Sequence, residues 1–179
     1  MEDILPKCLS FSNEGENSLI ATAISEALFN CREHAYDEDA KFTKWYLGFG
    51  LYPLDDKYQF CVCDKGIGFR ESLKKKQFFS AIKDQVTSDS QLIQLAAGGR
   101  SGIVNGETIG RGLGLPKATQ SLKDVDGTIG IMSGRGWYRA GIENDRVIDE
   151  AKPDRETCIQ GSIIDFSIPI SYIINKSKR

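Results

Sequence analysis

Glu26, Asn30 and His34 recur at every fourth position, so on a helix they stack along one side, next to an apolar stripe of Ile20, Ile24, Ala27 and Cys31. A carboxylate followed by a carboxamide at this spacing suits a magnesium-bound triphosphate, because magnesium takes oxygen ligands and keeps several of its waters. The same trio also fits a solvated helix edge. Left buried without partners, such groups would cost roughly 1–3 kcal/mol each, so something polar must meet them. A second cluster, Asp64-Lys65-Gly66-Ile67-Gly68, follows an apolar run directly. Its glycines let the backbone pass close to a flat ligand, and its carboxylate can accept a hydrogen bond from an exocyclic amine. A third, Gly110-Arg111-Gly112-Leu113-Gly114-Leu115, opens a helical pattern and gathers backbone N–H groups at the positive end of a helix dipole, where phosphate binds well. It is not a Rossmann fingerprint, since no strand precedes it, and it lacks the G-K-S/T ending of a Walker A loop.

These residues need elements to hold them. Apolar residues at 19, 20, 23, 24, 27, 28 and 31 predict an amphipathic helix between Asn17 and Tyr36. Phe42–Leu51 and Tyr58–Cys63 predict two antiparallel strands around the turn Pro53-Leu54-Asp55-Asp56. From Arg70 to Gly110 only weak helical pieces are expected, at Phe78–Val86 and Ser90–Ala97, ahead of the glycine-rich GGRSGIVNGETIG. A stretch so long and poor in core residues predicts a lid at about 70–110. Leu113–Leu122 predicts a helix with Pro116 in its first turn. Strands follow at Thr128–Ser133, Trp137–Ala140 and Ser162–Ile168, with Gly134-Arg135-Gly136 as a tight connection and 142–158 as a polar excursion. The order helix, strand pair, lid, helix, strands predicts a two-layer α/β sandwich, with helices on one face of a mixed, mostly antiparallel sheet.

The composition narrows the function classes. A chain of 179 residues, 40% apolar and 27% charged, fits a single globular domain over 1–179. No apolar run approaches the ~20 residues of a spanning helix, and the acidic N-terminus is unlike a secretory signal. A cytoplasmic protein without a membrane role is expected. The formal net charge of −2 gives no general pull toward nucleic acid, and Lys74-Lys75-Lys76 reads as a solvated face. Cysteines 8, 31, 61, 63 and 158 form an odd set without C-x-x-C spacing, against a disulfide framework or zinc site. Cys61 and Cys63 alternate on a strand, so they are expected on the same face as a buried, inert pair.

The ordered set E-x-x-x-N-x-x-x-H on a helix, D-x-G-x-G after a strand and G-x-G-x-G-L after a variable segment resembles the N, first-glycine and second-glycine boxes of the GHKL superfamily of ATP-binding domains. Gly161-Ser162 opening an apolar strand is similar to the closing G-T strand of that family, with Ser for Thr. The resemblance runs from about residue 17 to 170. It implies a Bergerat-type ATP fold with ATP and magnesium as ligands. By the same resemblance Asp64 would hold the adenine amino group, with Ser162 joining through a water. Gly66 and Gly68 would shape the base pocket, and Asn30 would coordinate magnesium. Gly110, Gly112, Gly114 and Leu115 would form the phosphate turn, and Glu26 would be the base that activates the nucleophile or orients the metal. His34 would support that helix face.

Within the superfamily, the short chain, the string SEALFNCREHAY and the absence of a transducer domain look most like stand-alone anti-sigma or serine-kinase proteins. The lid, with SDSQLIQLAAGGRSG before GRGLGLPKA, and the SGRGWYRAG segment are similar instead to stand-alone bacterial ATP-binding proteins often associated with STAS-like partners. This implies a protein partner, STAS-like or otherwise regulatory, and allows a homodimer. The sole histidine, His34, lies within the nucleotide motif and no four-helix segment is present, so a complete self-phosphorylating histidine kinase is not expected. Three functions remain open at this stage: phosphorylation or sequestration of a partner, an ATPase cycle, or a nucleotide sensor without turnover.

Overall fold

The computed structural model describes residues 14–36, 43–75, 79, 86–98, 103–104, 107–108, 114–144 and 146–171. Helix α1 (Glu14–His34) is followed by β1 (Trp45–Tyr52), a 3-10 turn (Pro53–Asp55), β2 (Lys57–Asp64), α2 (Gly68–Lys74) and α3 (Asp89–Ala97). A short pair, β3 (Ile103–Val104) and β4 (Glu107–Thr108), precedes α4 (Gly114–Lys123), and then come β5 (Thr128–Gly134), β6 (Gly136–Glu143), β7 (Arg146–Ala151) and β8 (Ile159–Pro169). Six strands form one sheet in the order β1-β2-β8-β5-β6-β7. Every neighbouring pair in it is antiparallel, so the sheet is not mixed.

Strand alternation explains the layering. Phe60 and Val62 on β2, Ile164 and Phe166 on β8, Ile129 and Ile131 on β5, and Tyr138 and Ala140 on β6 are register partners, and all are at most 2% exposed. They share one core with Ile20, Ile24 and Ala27 of α1, Ile93 of α3, and Ala118 and Leu122 of α4. The helices therefore cover one sheet face, and the fold is a two-layer α/β sandwich. Cys61 and Cys63 do share the opposite face, but there they are half-buried instead of buried.

Two further expectations are corrected. The polar excursion at 142–158 contains β7, which pairs with β6 from Tyr138↔Ala151 to Glu143↔Arg146. As an edge strand exposed at four of its six positions it shows no apolar alternation, so period alone could not find it. Nor is the span 70–110 poor in core residues throughout. Helix α3 lies inside it, with Leu92 and Ile93 each 1% exposed. Most of the expected helical piece at Phe78–Val86 lies outside the described residues.

Helix α3 is fastened as part of the domain. Ser88 Oγ accepts Gln91 N–H at 3.1 Å, and the Asp154 carboxylate accepts the N–H groups of Asp89 and Ser90 at 2.9 and 3.0 Å. The Asp89 carboxylate in turn accepts Arg135 N–H at 2.9 Å and pairs with the Arg70 guanidinium. Ser90 Oγ accepts Trp137 N–H at 2.9 Å. The 152–158 connection and the β5–β6 turn thus hold the helix that forms one wall of the cleft.

Candidate functional site

The last helix-facing row of the sheet is polar. Asp64 on β2, Ser162 on β8 and Ser133 on β5 are register neighbours and are 5%, 6% and 2% exposed. One row inward, Val62, Ile164 and Ile131 are apolar and equally buried. The core thus ends in a line of hydrogen-bonding groups, and above it opens a cleft.

Six residues from four separated motifs meet in that cleft: Asn30, His34, Asp64, Gly68, Gly114 and Ser162. Leu115, 7% exposed, adds apolar wall together with Phe69 and Leu73 of α2 and Ala96 of α3. Asn30 and His34 reach it because α1 buries its apolar stripe on the sheet and leaves the adjoining edge facing α2 and α4. Gly66 does not line this cleft. It packs against the end of α1, where a Cβ would stand 1.8 Å from the Ala35 carbonyl oxygen. That oxygen accepts Ile67 N–H at 2.7 Å and so sews the D-K-G-I-G turn to the helix carrying Asn30.

Asp64 is held as an acceptor. Its Oδ1 accepts Gly66 N–H at 2.8 Å, and the Cys31 thiol donates to Oδ2 at 3.7 Å. Burial pushes its carboxyl above the usual aspartate range, while the donors from Gly66, Cys31 and Ser162 pull the other way and do not overcome it. The Cys31 thiol is pushed up to about 12, first by burial and then by the charge and hydrogen bond of Asp64. It is an inert wall with a weak donor, not a nucleophile.

In the same cleft, Asn30 Nδ2 is fully buried without a hydrogen-bond partner, the sole such side-chain atom among the described residues. The first turn of α4 closes on it. A Cβ at Gly114 would lie 2.6 Å from Glu26 Oε2 and 3.9 Å from Asn30 Nδ2. Glu26 is half-buried and stands behind that turn instead of lining the cleft. Gly110 and Gly112 lie outside the described residues, so only the Gly114-Leu115 end of that motif is placed. Among the described residues no three His, Cys, Asp or Glu side chains cluster to hold a metal by themselves.

Ser133 and Cys31 are functional neighbours that motif reading passed over. Ser133 had a sequence signal, a hydroxyl at the core-facing position after Ile129 and Ile131, where alternation calls for an apolar residue. Cys31 had none, because a cysteine in an apolar stripe reads as core.

The arrangement brings a buried carboxylate acceptor into one cleft with an unsatisfied amide, a helix N-terminus and, beside that turn, a second carboxylate. No known protein family matches the sequence, and no curated protein does either. Among solved structures the chain is similar to the B subunit of the DNA gyrase from Myxococcus xanthus, at 12% identity and a TM-score of 0.43. The similarity covers 89% of this chain, which spans 38% of that one.

Proposed function

We propose that this chain is an ATP-binding regulatory protein of the GHKL type that phosphorylates or sequesters a protein partner. The observation that carries the nucleotide reading is the convergence of Asn30, Asp64, Gly68, Gly114 and Ser162 on one cleft, with Asn30 Nδ2 left without a partner. Adenine would lie at the Asp64–Ser162 end, where an acceptor-only carboxylate meets the exocyclic amine. The triphosphate would point toward Asn30 and the start of α4.

The residues present fit magnesium as well as the nucleotide. Asn30 offers a donor for a phosphate oxygen, and a half-turn of its amide offers Oδ1 to a cation. One or two protein oxygens suffice when phosphate oxygens and water complete the shell. Bound there, magnesium would neutralise phosphate charge and polarise the transferred group. Glu26, held against Gly114 outside the cleft lining, would orient that region, or would accept a proton from the attacking group through a bridging water.

The same cleft would serve an ATPase, with water in place of a protein hydroxyl, and a sensor would use it without turnover. Incubation with γ-labelled ATP and magnesium, alone and with candidate regulatory partners, separates the three. Label in a partner supports the kinase reading, and a stoichiometric complex without transfer supports sequestration. Free phosphate from the protein alone supports the ATPase. Unchanged ATP and no complex would leave only the sensor.

A further inference from the structure

The polar row that floors the cleft has a third member whose hydroxyl makes three bonds. Ser133 Oγ donates its one hydrogen to the Gly161 carbonyl oxygen at 2.8 Å. Its lone pairs accept Phe69 N–H at 2.9 Å and the Ser162 hydroxyl at 3.5 Å. Each bond goes to a segment that shapes the Asp64 end. Phe69 lies in the first turn of α2, directly after the D-K-G-I-G turn. Gly161 sits at the irregularity where β8 shifts register against β5, with φ +81°. There its backbone passes so close to β2 that a Cβ would stand 2.1 Å from the Asp64 carbonyl oxygen. Ser162 is the register partner of Asp64, and its hydroxyl donates to Ser133.

We propose that Ser133 is a positioning residue for base recognition: without touching the ligand, it sets Gly161, Ser162 and the α2 entry turn so that Asp64 faces the cleft as an acceptor. The proton inventory explains why a hydroxyl is needed. Ser133 spends its only hydrogen on Gly161, so toward Ser162 it can only accept. It therefore takes the Ser162 hydrogen, which would otherwise turn to the neighbouring Asp64 carboxylate, and so leaves an Asp64 lone pair for the amino group of a base. An alanine would leave the buried Gly161 carbonyl and Phe69 N–H unmatched and would commit the Ser162 hydrogen to Asp64. The selectivity for an amino-bearing over an oxo-bearing base would then fall.

The inference rests on the ATP-binding reading, so its test compares two nucleotides that differ at the recognised position. Affinities of magnesium-ATP and magnesium-ITP are measured by titration for the parent, Ser133→Ala and Ser133→Thr, with folding checked by circular dichroism. The parent prefers ATP. In Ser133→Ala the ATP-to-ITP preference drops about tenfold, chiefly through ATP, while ITP, held by its phosphates, changes by no more than a few fold. Ser133→Thr, which keeps the hydroxyl, retains the parent preference. Should Ser133→Ala not fold, Ser133→Cys, close in volume and a weak donor, is expected to show the same loss. An unchanged preference, or equal weakening of both nucleotides, in the folded alanine or cysteine variant would overturn the proposal and leave Ser133 as a structural residue. A parent that binds both nucleotides alike, or neither, would instead overturn the adenine reading and the proposal with it.

Discussion

Asp64 and Ser162 face each other across β2 and β8 as register partners, both nearly inaccessible, at the point where the apolar rows of the sheet give way to the cleft. A buried carboxylate in that place has a thermodynamic consequence. Burial raises its pKa above the ordinary value of 3.8, against weaker opposing hydrogen bonds. A folded-state pKa above the unfolded one contributes stability that is present below the unfolded value and is lost as pH rises through the folded value. Asp64→Asn should therefore melt higher than the parent at pH 7 without nucleotide. The advantage should disappear below about pH 4, near the ordinary aspartate pKa. The same variant should bind ATP roughly tenfold or more weakly, as expected when a hydrogen bond to a charged acceptor is lost. Thermal melts across pH, with an ATP titration at pH 7, check both halves. A variant that melts lower than the parent at pH 7 contradicts the first.

The proximity of Glu26 to Gly114 separates binding from chemistry. Glu26 stands against Gly114 and does not line the cleft, so Glu26→Ala should leave ATP affinity within a few fold. Phosphoryl transfer or hydrolysis, whichever the protein performs, should fall by ~10²–10⁴, the usual contribution of a positioned acid or base. Asn30→Ala, which removes the unmatched amide of the cleft, should weaken binding itself. Titration and single-turnover measurements on both variants check this. Parent-like turnover in Glu26→Ala would make that carboxylate structural.

Two glycines of the motifs should respond differently to one added methyl. At Gly66 the methyl meets the Ala35 backbone carbonyl at 1.8 Å, an atom that cannot swing away. Gly66→Ala should lower stability by about 1–3 kcal/mol, read by denaturant unfolding. At Gly114 the obstacle is Glu26 Oε2 at 2.6 Å, the far end of a flexible side chain. Gly114→Ala should fold with little loss of stability but displace the carboxylate and the first turn of α4, and so weaken ATP binding.

The anchoring of α3 by Asp154 predicts an effect remote in sequence from every motif. Burial works to raise this carboxyl, yet the N–H groups of Asp89 and Ser90, the Ser90 hydroxyl and the Arg70 charge together hold it below its ordinary value. Asp154→Ala should cost about 0.5–2 kcal/mol, as loss of a helix cap does. For a domain of this size that lowers Tm by roughly 2–4 °C per kcal/mol, measurable by calorimetry.

The sequence carried the positions of most groups in the cleft but not the whole of their setting. Helix α1 and the strands ending at Asp64 and beginning near Ser162 are legible because burial on one face imposes a period, and turn chemistry marks their ends. Asn30, Asp64, Gly114 and Ser162 stand out as polar groups or glycines interrupting those periods. Strand β7 escapes because an exposed edge imposes no alternation. The packing of α3 escapes because its docking depends on Asp154, Arg135 and Arg70, contacts that local sequence does not record. Ser133 interrupts the alternation after Ile129 and Ile131, but its place beside Ser162 and Asp64 is visible only once β5 and β8 are paired.

The central claim, that this cleft binds an adenine nucleotide through Asp64, is tested most directly by thermal denaturation with magnesium and either ATP or GTP. ATP at 100 times its dissociation constant should add about 2.7 kcal/mol of stability by mass action and raise Tm accordingly, and GTP should do much less, because its carbonyl oxygen meets Asp64 where an amine is required. Equal shifts with the two nucleotides, or none with ATP, would contradict the account.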